Sequence, residues 1–258
     1  MAFWNRNKHR SQECVAWRYP GGSFDAISDK ALRSEHTLIA GFTGCGKSTF
    51  LRSIIRAALV QHSPAAAKFI IIDPKDTELE RLTTIPHTVR RAVTLDECAS
   101  ALEYACAVMQ ARQAERRKQR SEVYQGAALY IIVDELNPIL TDKYDPKRRT
   151  KAMWCLEQIV SLGRSANVHL IACTQNPNKK TIPANISDNC TCRFGLHCMT
   201  QEQSRQIVMH KGCENLPKHG ETIAIIDGTI GRYKLPYVKQ EELDELIDYW
   251  TSPACRVA

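Results

Sequence analysis

An eight-residue segment near residue 45 has the residue types and spacing of a phosphate-binding loop. It reads GFTGCGKS at 41–48 and fits G-x-x-x-x-G-K-[ST] at every fixed position. The glycines allow a tight turn that points backbone N–H groups at phosphate oxygens. Lys47 would reach the outer phosphates and the Ser48 hydroxyl would ligate Mg²⁺. The residues predicted to hold ATP are Gly41, Thr43, Gly44, Cys45, Gly46, Lys47, Ser48 and Thr49, and no role is assigned to the Cys45 side chain.

The sequence around this loop supports the same interpretation. An apolar run at 37–40 predicts a buried strand before the loop, and helical spacing at 50–61 predicts a helix after it. The positive end of that helix would face the bound phosphates. The alternative is a glycine-rich turn that binds no ligand, and both the motif and its context disfavour it.

An acidic pair ends another apolar run. Asp134 and Glu135 follow residues 129–133, so both carboxylates are expected at the end of a buried strand, where the crevice of an open sheet lies. Asp134 would hold Mg²⁺, directly or through water, and Glu135 would polarise the attacking water. Glu135 favours hydrolysis over simple nucleotide binding. The alternative is an acidic pair at the start of a helix.

Two further polar residues complete the predicted catalytic set. Gln175 follows a predicted strand at 168–174, where a polar side chain could sense the terminal phosphate. Arg164 lies between a helix and that strand and could reach the nucleotide of a neighbouring subunit. A turn residue and a surface arginine are the alternative interpretations. The predicted catalytic residues are Lys47, Glu135, Arg164 and Gln175.

Strands and helices alternate along the chain, and the first strands are continuous apolar runs. This pattern predicts an α/β fold with a mostly parallel central sheet and helices on both faces. Residues 1–34 are expected to form an N-terminal arm or small packing element, before an ATPase domain at 35–258. Residues 143–151 are predicted to be a charged loop. Strands are predicted at 37–40, 68–73, 129–134, 168–174, 191–197, 222–227 and 233–237, and helices at 50–61, 95–120, 153–162, 202–209 and 241–250.

Composition limits the classes of protein that fit. The 258 residues are 43% apolar and 24% charged, which is ordinary for a globular protein, and the net charge of +7 permits a polyanionic partner or simply a solvated basic surface. No apolar run is long enough to span a bilayer. A cytoplasmic protein is expected, and any membrane attachment would come through a partner.

The cysteines do not form a disulfide pattern. Their number, eleven, is odd, and several lie in apolar periodic stretches, which predicts reduced thiols. A metal site formed by Cys190, Cys192, His197 and Cys198 is the alternative for one segment, but the spacing matches no zinc pattern.

The motifs, taken in order, resemble the FtsK/SpoIIIE family over about residues 33–250. The most distinctive match is GRSANVHLIACTQNP at 163–177. Other matches, in order, are HTLIAGFTGCGKS at 36–48, IDPK at 72–75, EL at 78–79, IPH at 85–87, VT at 93–94, MQAR at 109–112, VDEL at 133–136, ANI at 184–186, RF at 193–194, SR at 204–205 and the final helix at 241–250.

This resemblance implies a RecA-like ATPase that assembles as a ring, usually a hexamer, around double-stranded DNA. ATP would lie between subunits, and Arg164 would act on the neighbour's nucleotide. Loops facing the pore would grip phosphates without reading bases. Lys179, Lys180 and the basic cluster with Arg148 and Arg149 are the candidate DNA contacts, and a solvated face is the alternative.

The sequence also departs from the family pattern. Membrane helices, a linker and a sequence-reading winged helix are not recognised in it. The segment between Gln175 and Ala184 is short, and Asn176 stands where an arginine is common. The chain thus resembles the motors of plasmids, conjugative elements or phages.

Three functions are compatible with these features. The first is an ATP-dependent translocase motor for double-stranded DNA, acting in transfer, partition or packaging, with a relaxase or a membrane channel protein as a further partner. The second is an ATPase module for protein secretion. The third is an ATP-dependent assembly factor that binds DNA or a relaxase and does not travel.

Overall fold

A single eight-stranded sheet organises the chain. The computed structural model describes residues 26–76, 79–175 and 182–252. The strand order across the sheet is β3-β2-β4-β5-β1-β6-β7-β8. The first six strands run parallel, and β7 and β8 add an antiparallel edge. The strands are β1 (His36–Ala40), β2 (Ala67–Ile72), β3 (Thr88–Ala92), β4 (Ala128–Val133), β5 (Val168–Thr174), β6 (Cys192–Gly195), β7 (Glu221–Ile226) and β8 (Thr229–Lys234).

Helices connect the parallel strands and cover the sheet. Short 3₁₀ turns at Glu80–Thr84, Arg164–Ala166 and Cys213–Asn215 complete the described secondary structure. The helices are α1 (Ala26–Arg33), α2 (Lys47–Gln61), α3 (Leu95–Gln119), α4 (Asn137–Leu140), α5 (Pro146–Leu162), α6 (Ala184–Asn189), α7 (Gln201–Val208) and α8 (Gln240–Thr251).

Alternating residues of the central strands enter two different cores. In β4, Ile132 faces the core formed with α1, α2 and α8, whereas Ile131 faces the core formed with α3 and α5. Leu170 and Ile171 of β5 divide in the same way. Because both faces are covered, these strands are apolar at most positions and show no regular polar alternation. The predicted α/β fold, with a mostly parallel sheet and helices on both faces, is confirmed.

Two predicted elements differ from the structure. The charged loop predicted at 143–151 is wrong from residue 146, where α5 begins: the Asp145 carboxylate caps the helix by accepting from the N–H groups of Lys147 and Arg148, both at 3.0 Å. The strand predicted at 233–237 lies earlier, at Thr229–Lys234, because a two-residue turn at Asp227 and Gly228 pairs it with β7.

Part of the predicted N-terminal arm packs on the ATPase domain. Ile27, Ala31 and Leu32 of α1 are buried in the same core as α2, and the Ser28 hydroxyl lies 2.8 Å from that of Ser53. The boundary near residue 34 stays a prediction, and residues 1–25 lie outside the described part of the chain.

Two other expectations concern cysteines and membrane helices. The nine cysteines that the structure describes are buried free thiols. Within residues 26–76, 79–175 and 182–252, no helix has the length and apolar character needed to cross a membrane.

Candidate functional site

The candidate site lies where β4, β5 and β1 end side by side. These strands are neighbours in the sheet and run parallel, so their carboxyl ends meet at one edge. The phosphate loop follows β1, the acidic pair follows β4 and Gln175 follows β5. The fold therefore collects residues from three distant segments of the chain, at the edge where open α/β sheets bind ligands.

Glycine is required at three places in the loop. Gly44 and Gly46 have φ of 74° and 100°, in the left-handed region that favours glycine. Gly41 is needed for a different reason: a Cβ there would lie 2.8 Å from both the Cys45 sulfur and the Leu196 Cβ. The loop is thus held tightly against the end of β6, and at its glycines the backbone can approach a ligand closely.

The Lys47 side chain folds back over the loop. Its ammonium donates to the carbonyl oxygens of Gly41 and Phe42, both at 2.9 Å, and only 7% of the residue is exposed. Lys47 begins α2, whose first turn carries no acidic residue, so the positive end of the helix dipole is not neutralised there. This arrangement suits an anion at the helix start.

The Cys45 side chain is buried in the core. It is 2% exposed and belongs to the core beneath α2. Burial raises the pKa of this thiol, although the Lys47 charge opposes the shift, so the thiol stays protonated near neutral pH. Only the Cys45 backbone is available for the predicted contact with phosphate.

Asp134 and Glu135 are almost completely buried, with 4% and 3% of each residue exposed. One Glu135 oxygen accepts from the backbone N–H groups of Asn137 and Gln175, both at 3.3 Å. These bonds orient the carboxylate at the strand end and leave its other oxygen facing Lys75. A buried, oriented carboxylate is the group required to polarise a water molecule.

Gln175 links the phosphate loop to the acidic pair. Its side-chain oxygen accepts from the Thr43 hydroxyl at 2.7 Å, while its backbone N–H bonds Glu135. A change at the loop can therefore reach the Glu135 carboxylate through one residue. The sequence placed Gln175 near the phosphates without indicating its contact with Thr43.

Lys75 was not among the predicted site residues, yet its ammonium lies 3.7 Å from Asp134 Oδ2 and 3.6 Å from Glu135 Oε2. The Asp73 carboxylate organises its loop by accepting from the N–H groups of Lys75 and Leu79. One signal was available in the IDPK segment, which begins at the last residue of β2. The structure adds that β2 pairs with β4, which the acidic pair follows.

Arg164 lies at the amino-terminal ends of the strands, on the side of the sheet opposite the candidate site. It precedes β5 and pairs with Glu35, which precedes β1, at 2.7 Å; the arginine side chain is 74% exposed. The phosphate loop and Glu135 follow their strands, so the Arg164 side chain does not join the pocket of its own chain. An action on a neighbouring subunit's nucleotide stays a prediction.

The predicted DNA contacts have different surroundings. Arg148 is engaged within the chain, where its guanidinium bonds both Asp142 and Asp96 at 2.6 Å, and the Asp142 side chain is 2% exposed. Arg149 is partly exposed on the next position of α5. Lys179 and Lys180 lie outside the described residues, and all four DNA contacts stay predictions.

Comparison with protein families places this site in a known context. A model of the FtsK/SpoIIIE family matches residues 7–129. A DNA translocase FtsK of Leptospira interrogans is 30% identical over 233 residues, covering 83% of this chain and 24% of the relative. A DNA translocase FtsK of Staphylococcus epidermidis is 30% identical over 249 residues, covering 88% of this chain and 31% of the relative. The chain thus spans a quarter to a third of the length of these relatives.

Solved structures share the fold. The conjugation coupling protein TcpA of pCW3, a monomer form with ATPγS, aligns with a TM-score of 0.75 at 18% identity, covering 85% of this chain and 66% of that one. The cytoplasmic domain of the type VII secretion ATPase EccC of Thermomonospora curvata aligns with a TM-score of 0.68 at 22% identity. The alignment covers 85% of this chain and 28% of that one. The predicted RecA-like fold is therefore confirmed.

Proposed function

We propose, from the premise that this chain belongs to the FtsK/SpoIIIE family, that it hydrolyses ATP to drive movement along double-stranded DNA. The observation that carries the hydrolysis is the meeting of Lys47, the loop glycines and the buried Glu135 at one edge of the sheet. The names of the curated relatives, which are DNA translocases, support DNA as the substrate of the motor.

Each site residue has a defined task in this proposal. The amides of the loop cradle the phosphates, and the Lys47 ammonium exchanges its two carbonyl acceptors for phosphate oxygens. Glu135 orients the attacking water as its general base. Gln175 connects these events, because it bonds Thr43 on the loop and Glu135 at the strand end.

The donors at the site also fit Mg²⁺. The Ser48 hydroxyl lies in the first turn of α2, and the buried Asp134 carboxylate directly follows β4, so both can supply the hard oxygen ligands that this ion prefers. When bound, the ion would neutralise charge on the phosphate oxygens. Ser48 and Asp134 are therefore the proposed residues for Mg²⁺.

The partners follow from the family. We infer that copies of the chain assemble as a ring around duplex DNA, a hexamer as the family resemblance implies, with Arg164 of one copy near the nucleotide of the next. The net charge of +7 agrees with a polyanionic substrate. A relaxase or a membrane channel protein as a further partner, and a cytoplasmic location, stay predictions.

ATP turnover of the assembled protein, with and without duplex DNA, tests the proposal. We expect duplex DNA to raise turnover, Lys47→Ala to abolish turnover, and Glu135→Gln to bind ATP without cleaving it. An assembled ring with the same ATP turnover in the presence and absence of duplex DNA would contradict translocation. Stimulation by a polypeptide signal would identify the secretion alternative.

A triplex-displacement assay separates a moving motor from a stationary assembly factor. A third strand annealed to the duplex is released only when the protein travels through it. We expect ATP-dependent release by the unmodified chain and none by Glu135→Gln. DNA-stimulated turnover without release would favour the assembly factor.

A further inference from the structure

A groove of about 660 Å³ opens beside the first turns of α2. It is lined by Arg52, Tyr237, Lys239 and Gln240, together with glutamates of α8. This volume is within the range of small-molecule sites. None of these residues entered the predicted set for the phosphate loop or the acidic pair.

The groove adjoins the predicted phosphate site through Arg52. The guanidinium of this residue donates to the Thr49 hydroxyl at 3.2 Å, and its Nε donates to the Ser48 carbonyl at 3.5 Å. Arg52 lies one helical turn beyond Ser48, on the same side of α2. A nucleotide with its phosphates bound at the start of α2 would extend from the loop along Arg52.

The final helix brings a second wall to the same place. Arg52 donates to the Gln240 side-chain oxygen at 3.1 Å, while Trp250 donates to the Leu59 carbonyl at 3.0 Å. These two contacts show that α8 runs alongside α2 in the same direction. The start of α8 therefore lies next to the start of α2, where the phosphates would bind.

Tyr237 stands out on this wall. The segment before α8 is anchored by the Leu235 N–H, which donates to the Gly220 carbonyl at 2.8 Å, and by the buried Val238. Between these anchors the Tyr237 ring is 77% exposed along the groove. The groove thus contains an exposed aromatic ring and a guanidinium held by hydrogen bonds, two groups that can stack on a flat base.

We propose that this groove binds the base and ribose of the nucleotide, with the base stacked on Tyr237 and Arg52 forming the opposite wall. The exposed carboxylate of Glu241 at the start of α8 supplies an acceptor for a ribose hydroxyl. The inference rests on the proposed function, because it assumes that the triphosphate lies at the loop.

Titration calorimetry with two ligands tests the inference on the full chain. ATPγS carries a base, whereas inorganic tripolyphosphate carries only the phosphates. We expect Tyr237→Ala to weaken ATPγS binding about tenfold, the range of one base–aromatic stack, and to leave tripolyphosphate binding within about twofold. Tyr237→Phe keeps the ring and should bind both ligands as the unmodified chain does.

Two further variants separate the possible failures. Tyr144→Ala removes a 95% exposed tyrosine outside the groove and should change neither affinity. Lys47→Ala should weaken both ligands, which reports on the phosphate site alone. If Tyr237→Ala weakens both ligands equally, or neither, while Lys47→Ala weakens both, the groove is not the base site and the proposed function stands. An unmodified chain that binds neither ligand overturns both.

Discussion

Lys75 Nζ lies 3.6 Å from Glu135 Oε2, and this contact joins the loop after β2 to the end of β4. The same ammonium lies 3.7 Å from Asp134. One ammonium thus interacts with two adjacent buried carboxylates, and it offsets the repulsion between their negative charges in this poorly solvated site. Lys75 is therefore a positioning residue for the acidic pair.

Removing this cation should affect cleavage more than binding. We expect Lys75→Ala to lower kcat for ATP by about tenfold with little change in the Kd for ATPγS, because the phosphate loop is untouched. Lys75→Arg should recover part of the loss. Lys151→Ala, which removes a 60% exposed lysine paired with Glu103, is the matched control. A large change in Kd with unchanged kcat would contradict the assignment.

The hydrogen bond between Thr43 and Gln175 should couple the loop to the Glu135 carboxylate. Thr43→Val and Gln175→Leu each break it, so the double variant should lose less turnover than the sum of the single losses. We expect a coupling of at least about 0.5 kcal/mol in a double-mutant cycle on kcat/KM.

A matched cycle provides the control for this coupling. Thr150→Val removes an exposed hydroxyl that bonds its own helix, and its effect should add to that of Gln175→Leu. Additive losses for Thr43→Val and Gln175→Leu would show that the bond seen here is not maintained during turnover.

Arg164 should act only between subunits. Its pair with Glu35 is exposed, and pairs of this kind contribute at most about 1 kcal/mol, so Arg164→Ala should fold normally and bind ATPγS. Its turnover in the assembled ring should fall. Mixing Arg164→Ala with Lys47→Ala chains should restore part of the turnover, since some interfaces then contain an intact loop and an intact arginine.

Arg33→Ala is the control for this experiment, because it removes a 72% exposed arginine paired within α1. It should retain turnover on its own. Mixed rings that remain inactive would argue against a role for Arg164 across the subunit boundary.

Neighbouring arginines at the start of α5 should respond differently to substitution. Burial alone would raise the pKa of Asp142, but the Arg148 guanidinium and backbone N–H groups hold this pKa below its usual range. Arg148→Ala leaves this buried carboxylate without its cation and should therefore lower Tm. Arg149→Ala should leave Tm unchanged.

If Arg149 contacts a DNA phosphate, its removal reduces the slope of log K against log salt by roughly one. An unchanged slope would remove Arg149 from the DNA contacts.

Buried histidines should make the fold sensitive to acid. Burial lowers the pKa of His87 to about 4 and, with the nearby His169, that of His36 to about 3. In the unfolded chain both would titrate near 6.5, so between about pH 4 and 6.5 the unfolded state binds more protons. The free energy of unfolding should therefore fall as pH decreases through this window and be nearly constant above it.

A single substitution tests how much His87 contributes to this pH dependence of stability. This residue is fully buried against Phe69 and Trp250. His87→Gln should reduce the slope of the unfolding free energy between pH 4.5 and 6 by up to about 1.4 kcal/mol per pH unit, measured by urea denaturation. His219→Gln, at an exposed position, should leave the slope unchanged. An equal slope for all three proteins would contradict the prediction.

Local chemistry explains why some elements were predictable and others were not. The strand at 88–92 was missed because Arg90 and Arg91 interrupt its apolar pattern, as charges do on many edge strands. The start of α5 was missed although Asp145 and Pro146 form a recognisable helix start. By contrast, β1, β2, β4 and β5 were found as continuous apolar runs because both of their faces are covered.

The sequence by itself determined the phosphate loop, the acidic pair and the positions of the buried central strands along the chain. Each depends on neighbouring residues: glycine at left-handed backbone positions, carboxylates after an apolar run, and apolar character where two cores meet a sheet. The tertiary structure decided what these segments touch. Lys75 reaches Glu135, Gln175 reaches Thr43, and Tyr237 lines the same groove as Arg52 only because strand order and helix packing bring distant segments together. No local pattern in the chain encodes such a distance.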